Sequence, residues 1–439
     1  MLALRLSRSA HPAVQLRRLL VAAASAGTGF LLLCTLGHAL THPEASATSV
    51  LRLAWCVVPL AATVYFALAV ARTDPGTRPR PGLAAIGLGP VRLMAVSATT
   101  TALSTLLGSM LALLLFLHLR GDLTGMPFDG AAADFLAADA DLPLPATLTL
   151  LALVPLASSV SVALMLRPRD TRLAARAAAP KLFGTAGALR PAGAGAGQAT
   201  PGPRTGDGRV RAGTDAPAAS ETAPATEPAA APESRIERPD PTALPWGAAL
   251  LAAGLAVEGY AGRTATGADV PLPTGLPTGP AAVLLGWTLT AVGLALAGPG
   301  LTHLCGRLLQ AVRPGALRLL AGRGLMQESA RIGRPLGVVC AVASGAYTMA
   351  VLYDPSDPAY GPLTTLGALV VAGTTVATLV TAAVEARQAR AETTAALLRL
   401  GAPTKTLRSA AALRTGALLA LFVPLTLVVA ELAALPLAR

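Results

Sequence analysis

Residues 94–117 read MAVSATTTALSTLLGSMLALLLFL and contain no charged side chain. A bilayer hydrocarbon core of about 30 Å is crossed by roughly 20 apolar residues in an α-helix. The run is long enough for that crossing. It shows neither the two-residue alternation nor the shortness of a barrel strand. No water in the bilayer core can satisfy backbone N–H and C=O groups, so such a run makes its hydrogen bonds internally, as a helix. The stretch is read as a transmembrane helix.

Eight further blocks share its character, at 19–40, 51–71, 146–166, 244–261, 280–297, 336–352, 363–384 and 410–435. Together they predict an all-α integral membrane protein, a polytopic helical bundle of about nine transmembrane helices (8–10). Block 244–261 is the marginal one, being short and carrying Glu258. Block 19–40 precedes an Ala-Ser-Ala at 45–47 that resembles a signal-peptide cleavage site. It is longer than a usual signal core and a second apolar block follows at once, so it is read as a span. The stretch 301–320 carries Arg307, Arg313 and Arg318. It is expected to be an amphipathic cytoplasmic or interfacial helix.

Composition agrees. The chain is 53% hydrophobic and 13% charged, against roughly 25% charged in a soluble domain. Its net charge of +12 comes almost entirely from Arg. Basic excess suits nucleic acid when basic and aromatic residues interleave. Aromatics are only 3% here and no such run occurs, so no nucleic-acid partner is expected. The charge has a topological reading instead. With the N-terminus inside, the inner segments are 1–18, 72–93, 167–243, 302–334 and 385–408, and they hold 30 of the 35 Lys and Arg. The outer loop 119–145 carries Asp122, Asp129, Asp134, Asp139 and Asp141, while Arg120 and Arg263 are outer exceptions. Lys and Arg bias between loops sets orientation. The expectation is a multi-pass protein of a bacterial plasma membrane, N-terminus cytoplasmic, with the lipid bilayer as its surroundings.

Four cysteines (Cys34, Cys56, Cys305, Cys340) form no CxxC pair, and five histidines are scattered. No disulfide framework or metal site is expected. Neither lysine, Lys181 or Lys405, sits in a GxxxxGK[ST] loop, and no HExxH or GxSxG occurs. The chain is not expected to be an enzyme or to hold a cofactor.

From 184 to 245 there is no aromatic residue, and Ala, Pro, Gly, Thr and Glu dominate. Such a segment cannot bury enough apolar area to offset its ordering entropy. Residues 167–243 are therefore expected to be a disordered cytoplasmic linker between two related membrane halves. Each half has a basic lead-in, LRLSR at 4–8 in one and a segment from Ala321 to Arg334 in the other. Each continues through two spans to a cytoplasmic Gly/Pro turn, AAIGLGP at 84–90 and LRLGAP at 398–403, and then a third span.

The most informative stretch runs from 384 to 407. It opens VEARQARAE at 384–392, continues TTAALLRL at 393–400, and breaks at Gly401-Ala402-Pro403. It is read as a polar helix leaving the membrane, a stop at the Gly/Pro pair, and a basic segment leading back in. An ordinary solvated loop obeying the charge rule would also look like this.

The stretch resembles the cytoplasmic loop of the FtsX-like (MacB-type) ABC transporter permeases, in which a charged helix leads to a Leu-Arg-x-Leu/Ile-Gly-Ala turn. Here Arg399 lies two residues before Gly401 where that family has three, and Glu392 is displaced by one as well. One residue turns a helical side chain by about 100°. The resemblance implies a four-span module at 1–166, the linker at 167–243, an extra helix pair at 244–300, and a module lacking its last helix at 301–439. It also implies a separate ATP-binding ABC ATPase subunit as partner, docked on an elbow of Arg387, Arg390, Glu392, Arg399, Leu400, Gly401, Ala402 and Pro403. A homodimer stays open. The outer loops at 41–50 and 354–362 leave no room for the large outer domain many relatives carry. The expected function is thus the permease subunit of an ABC-type transporter. The alternative is a non-transporting scaffold or signalling protein derived from one.

Arg52, Glu258, Arg414 and Glu431 lie near predicted span ends. Long side chains there are expected to reach the interface. Pro59, Pro155 and Pro424 fall inside spans, where proline kinks a helix.

Overall fold

The computed structural model describes residues 12–73, 90–123, 129–133, 136–167, 243–261, 269–270, 279–311, 315–352 and 362–435. Residues 168–242 of the linker expected at 167–243, and 84–89 of the first Gly/Pro turn at 84–90, lie outside them. Helix α1 is Pro12–Thr41, followed by a short 3-10 turn at Pro43–Ala45, α2 (Ser46–Trp55), α3 (Val57–Thr73), α4 (Pro90–Arg120) and α5 (Leu144–Met165). Then come α6 (Ala243–Ala261), a two-residue antiparallel pairing of Asp269–Val270 (β1) with Gly279–Pro280 (β2), α7 (Ala281–Ala311) and α8 (Ala316–Leu352). The chain closes with α9 (Pro362–Ala389), α10 (Ala391–Arg399) and α11 (Thr404–Ala434). Among the described residues, 9 helical segments are long and apolar enough to cross a membrane, from Val14–Thr41 to Thr404–Ala434.

Two segments differ from expectation. The second span is not one helix. Pro59 has no N–H to offer the carbonyl of Trp55, so α2 stops there and the chain restarts at Val57. The Cys56 N–H turns back to Arg52 and Leu53 at 3.3 and 3.1 Å. The arginine-rich stretch 301–320 is not a separate amphipathic helix. Its first part extends α7 and its last part begins α8. Gly306 meets Gly322 there: a Cβ on Gly306 would stand 2.8 Å from the Gly322 carbonyl oxygen. The two extended ends pack through their small residues, while Arg307 and Arg323 stay exposed.

In the first half, α1 is the hub, packed on α3, α4 and α5. Leu33, Cys34, Ala112, Phe116 and Leu151 form its core with Leu136 from the loop between α4 and α5. Hydroxyls cross between helices: Ser25 donates to the Thr105 carbonyl at 2.7 Å, Ser109 to that of Leu151 at 3.1 Å, and Thr28 meets Thr63 at 2.9 Å. In the second half α7 packs on both α6 and α8, and α8 packs on α11. Ser344 and Thr348 donate across to the carbonyls of Thr426 and Ala430 at 3.1 and 3.2 Å.

Helix α9 joins the halves. Leu363, Leu366 and Ala377 pack against cores built by α1, α3 and α5, and Val370 lies against Gly27. Its other neighbour is α8. Along α9 the hydroxyls of Thr374, Thr378 and Thr381 each bond the carbonyl four residues back at 2.7 Å.

Arg120, an exception to the expected charge bias, lies at the loop end of α4. It is 4% exposed and donates to the carbonyls of Ala138 and Ala140, with Asp122 at 3.2 Å. Through these contacts Arg120 clasps the loop that carries Leu136 to the core.

Candidate functional site

Helix α9 runs on past the apolar part of its span and ends at Ala389. After one turn residue, Arg390, the chain restarts as α10. Arg390 keeps helical angles, φ −88° and ψ −9°, and its carbonyl takes the Thr394 N–H at 2.8 Å. Glu392 lies in the first turn of α10 and Arg399 in the last. Both signs complement the helix dipole.

The end of α10 is a Schellman turn. The Ala402 N–H bonds the Leu397 carbonyl and the Gly401 N–H bonds that of Leu398, both at 3.0 Å. Gly401 holds φ +83°, a left-handed angle that glycine adopts without a Cβ clash. Pro403 is extended (φ −67°, ψ 133°), and α11 begins at once. The sequence reading of helix, glycine stop and return therefore holds in the backbone.

The side chains divide into two groups. Arg387, Glu392, Arg399, Gly401 and Pro403 are exposed, and Leu400 is 84% exposed. Ala402 is half-buried. No residue of α10 is buried. Arg390 faces the other way. Its Nε lies 2.9 Å from Glu328 Oε1 on α8 and 3.1 Å from the Ala386 carbonyl. Glu328 is only 7% exposed. It also interacts electrostatically with Arg414 on α11 and Arg331 on α8. The Arg414 guanidinium occupies the space a Cβ on Gly324 would fill, one helical turn before Glu328. Arg414 does not reach out to the interface as expected. It lies half-buried beside the pair.

The elbow is therefore fastened at its base. One carboxylate on α8 holds an arginine at the α9–α10 junction, and an arginine from α11 lies beside them. Sequence reasoning placed Arg390 on the docking surface and missed Glu328. The available signal was that Glu328 is the one acid in the arginine-rich segment 302–334.

Glu258 is a second departure. It does not extend to the interface. It is 0% exposed, and its Oε1 accepts a bond from Thr290 at 3.0 Å. Glu431 behaves closer to expectation, near the end of α11 with the Tyr347 hydroxyl donating to it at 2.7 Å. Among the described residues, no group of three or more His, Cys, Asp or Glu stands together to hold a metal ion.

No protein-family model, curated protein or solved structure matches the chain.

Proposed function

We propose that this chain is the membrane-spanning subunit of an ABC-type transport complex, driven by a separate ATPase that binds the elbow at 387–403. The observation carrying this reading is the form of the elbow. An exposed short helix with no buried residue stands between two long membrane helices and is tied at its base by Glu328 and Arg390. A solvated loop needs no such fastening. A segment that receives force does, because a push on α10 must reach α9 and α11 without being lost in local unfolding. Orientation is part of the proposal: the elbow and the N-terminus face the cytoplasm of a bacterial cell. Kinship of the halves is part of it too. In each, the first and third spans pack together and a serine hydroxyl crosses to a carbonyl, Ser25 to Thr105 and Ser344 to Thr426.

A second reading is favoured by the outer face. The connection from α1 to α2 contains only His42 and the 3-10 turn Pro43–Ala45. No domain there could receive a soluble substrate. A membrane scaffold that passes a signal from an ATPase, moving nothing, fits that feature equally well.

Purification of the intact chain in mild detergent tests both. An ABC ATPase subunit is expected to co-purify, and Leu400→Asp to release it while the chain stays folded. Failure to recover any ATPase, even after cross-linking, ends both readings. Reconstitution in vesicles then separates them: ATP-dependent movement of lipid or amphiphile supports transport, and ATP turnover without movement supports signalling. For orientation, cysteines replacing the exposed Asp139 and Thr404 are labelled by an impermeant reagent. The first is expected to react from outside the cell and the second only after the membrane is opened.

A further inference from the structure

Helices α6 and α7 meet along a ladder of paired positions. A Cβ on Gly247 would stand 2.5 Å from the Ala297 nitrogen, and one on Gly293 2.5 Å from the Leu251 nitrogen. A Cβ on Gly254 would stand 2.6 Å from the Thr290 nitrogen, and one on Gly286 would strike the Glu258 side chain. Small residues at such spacing let membrane helices approach closely. The final rung breaks the rule, because it places a carboxyl against a glycine.

Glu258 is closed in on that rung. Its Oε1 takes the Thr290 hydroxyl at 3.0 Å, and its Oε2 is buried with no partner among the described residues. Among the described residues no cation pairs with it. On α7 the first charged residue is Arg307, toward the opposite end of the helix. On α11, which also touches α6, the acid nearest the corresponding end is Glu431, and it takes the Tyr347 hydroxyl. An isolated ionised carboxylate in apolar surroundings is so costly that the group neutralises instead. The rung also leaves no space for an ion with its own ligands, since Gly254 and Gly286 already lack room for a methyl group. The species that fits is a proton.

We propose that Glu258 is a proton-binding site: its carboxyl carries a proton on Oε2, and the α6–α7 hairpin closes on that neutral form. The inference does not depend on the ATPase reading. Glu258 lies three residues before the end of α6 at Ala261, so the proton exchanges with water beyond that end. When it leaves, the carboxylate needs hydration and the last rung opens. The hairpin thus responds to proton concentration on one side of the membrane.

Infrared spectroscopy of the full chain in lipid vesicles tests this, because the C=O stretch of a carboxylic acid stands well apart from that of a carboxylate. Subtracting the Glu258→Gln spectrum from the wild type at neutral pH is expected to leave an acid band that shifts in deuterated water. Thr290→Val removes the donor to Oε1 and is expected to move that band to higher frequency without abolishing it. A carboxylate band in the difference spectrum overturns the proposal. If Glu258→Gln does not fold, the Thr290 variant decides alone: an acid band that moves supports the site, and no moving band overturns it.

Discussion

The fastening of the elbow makes a quantitative prediction. Arg390→Gln removes the guanidinium that lies 2.9 Å from Glu328 Oε1. Breaking a fully buried ion pair costs about 3–5 kcal/mol, and an exposed pair is worth about 0.2–1 kcal/mol. This pair lies between those limits. The Glu328 side chain is 10% exposed but that of Arg390 is 32% exposed, so solvent screens one partner and not the other. Arg331 and Arg414 also remain near Glu328 after the substitution and partly replace the lost charge. The expected coupling is therefore about 2 kcal/mol, a factor of roughly 30 in the folding equilibrium. A double-mutant cycle of Arg390→Gln and Glu328→Gln, read by unfolding in bicelles, measures it. The double variant should be more stable than the sum of the single losses predicts, because neither member of the pair is left facing an absent partner. Hydrogen exchange at 390–399 should quicken in both single variants, while the spans keep their protection. A coupling below about 0.5 kcal/mol would refute the idea that this pair anchors the elbow.

Three further outcomes follow from geometry. Gly254→Ala should destabilise the α6–α7 hairpin by about 2 kcal/mol. Gly259→Ala, on the same helix with nothing within 4 Å, should be neutral or stabilising by up to about 1 kcal/mol; equal effects in the same unfolding assay would discredit the ladder. Gly401→Ala should cost about 1–2 kcal/mol through its left-handed angle, read as faster exchange at 398–403 with the bundle untouched. Arg120→Gln strips the charged donor from the Ala138 and Ala140 carbonyls and should cost about 2 kcal/mol. Protease should then cut the loop at 129–143 faster, and unchanged cleavage would mean that Leu136 seats itself without the clasp.

The spans were readable because hydrocarbon imposes a length and a ban on charge, and both are written into uninterrupted runs such as 94–117. The turn at Gly401 was readable because a glycine and a proline mark a helix end locally. What escaped depends on which residues face each other across helices. Glu328 and Arg390 are far apart in the chain, so nothing local in either tells that they meet. Glu258 was expected near water because it lies close to a span end, but depth along a helix says nothing about which side of it is covered. Gly247, Gly254, Gly286 and Gly293 were visible as letters, yet their meaning lies in pairing two helices at the same spacing. The stretch 301–320 misled because arginine content was weighed over the whole segment. The helices place Arg307 on an exposed face and keep Gly306 and Gly322 inside.

The bundle holds two kinds of helix contact. Where α6, α7 and α8 touch through glycines, backbone lies on backbone and nothing can give without separating. Helix α9 meets its neighbours through side chains, as where Val370 lies against Gly27, and three of its buried threonines tie their hydroxyls to their own backbone carbonyls, an arrangement that slightly weakens and bends a helix. It is also the helix shared by both halves and continuous with the elbow. On the proposed reading, a push on α10 passes first into α9 and from there to both halves.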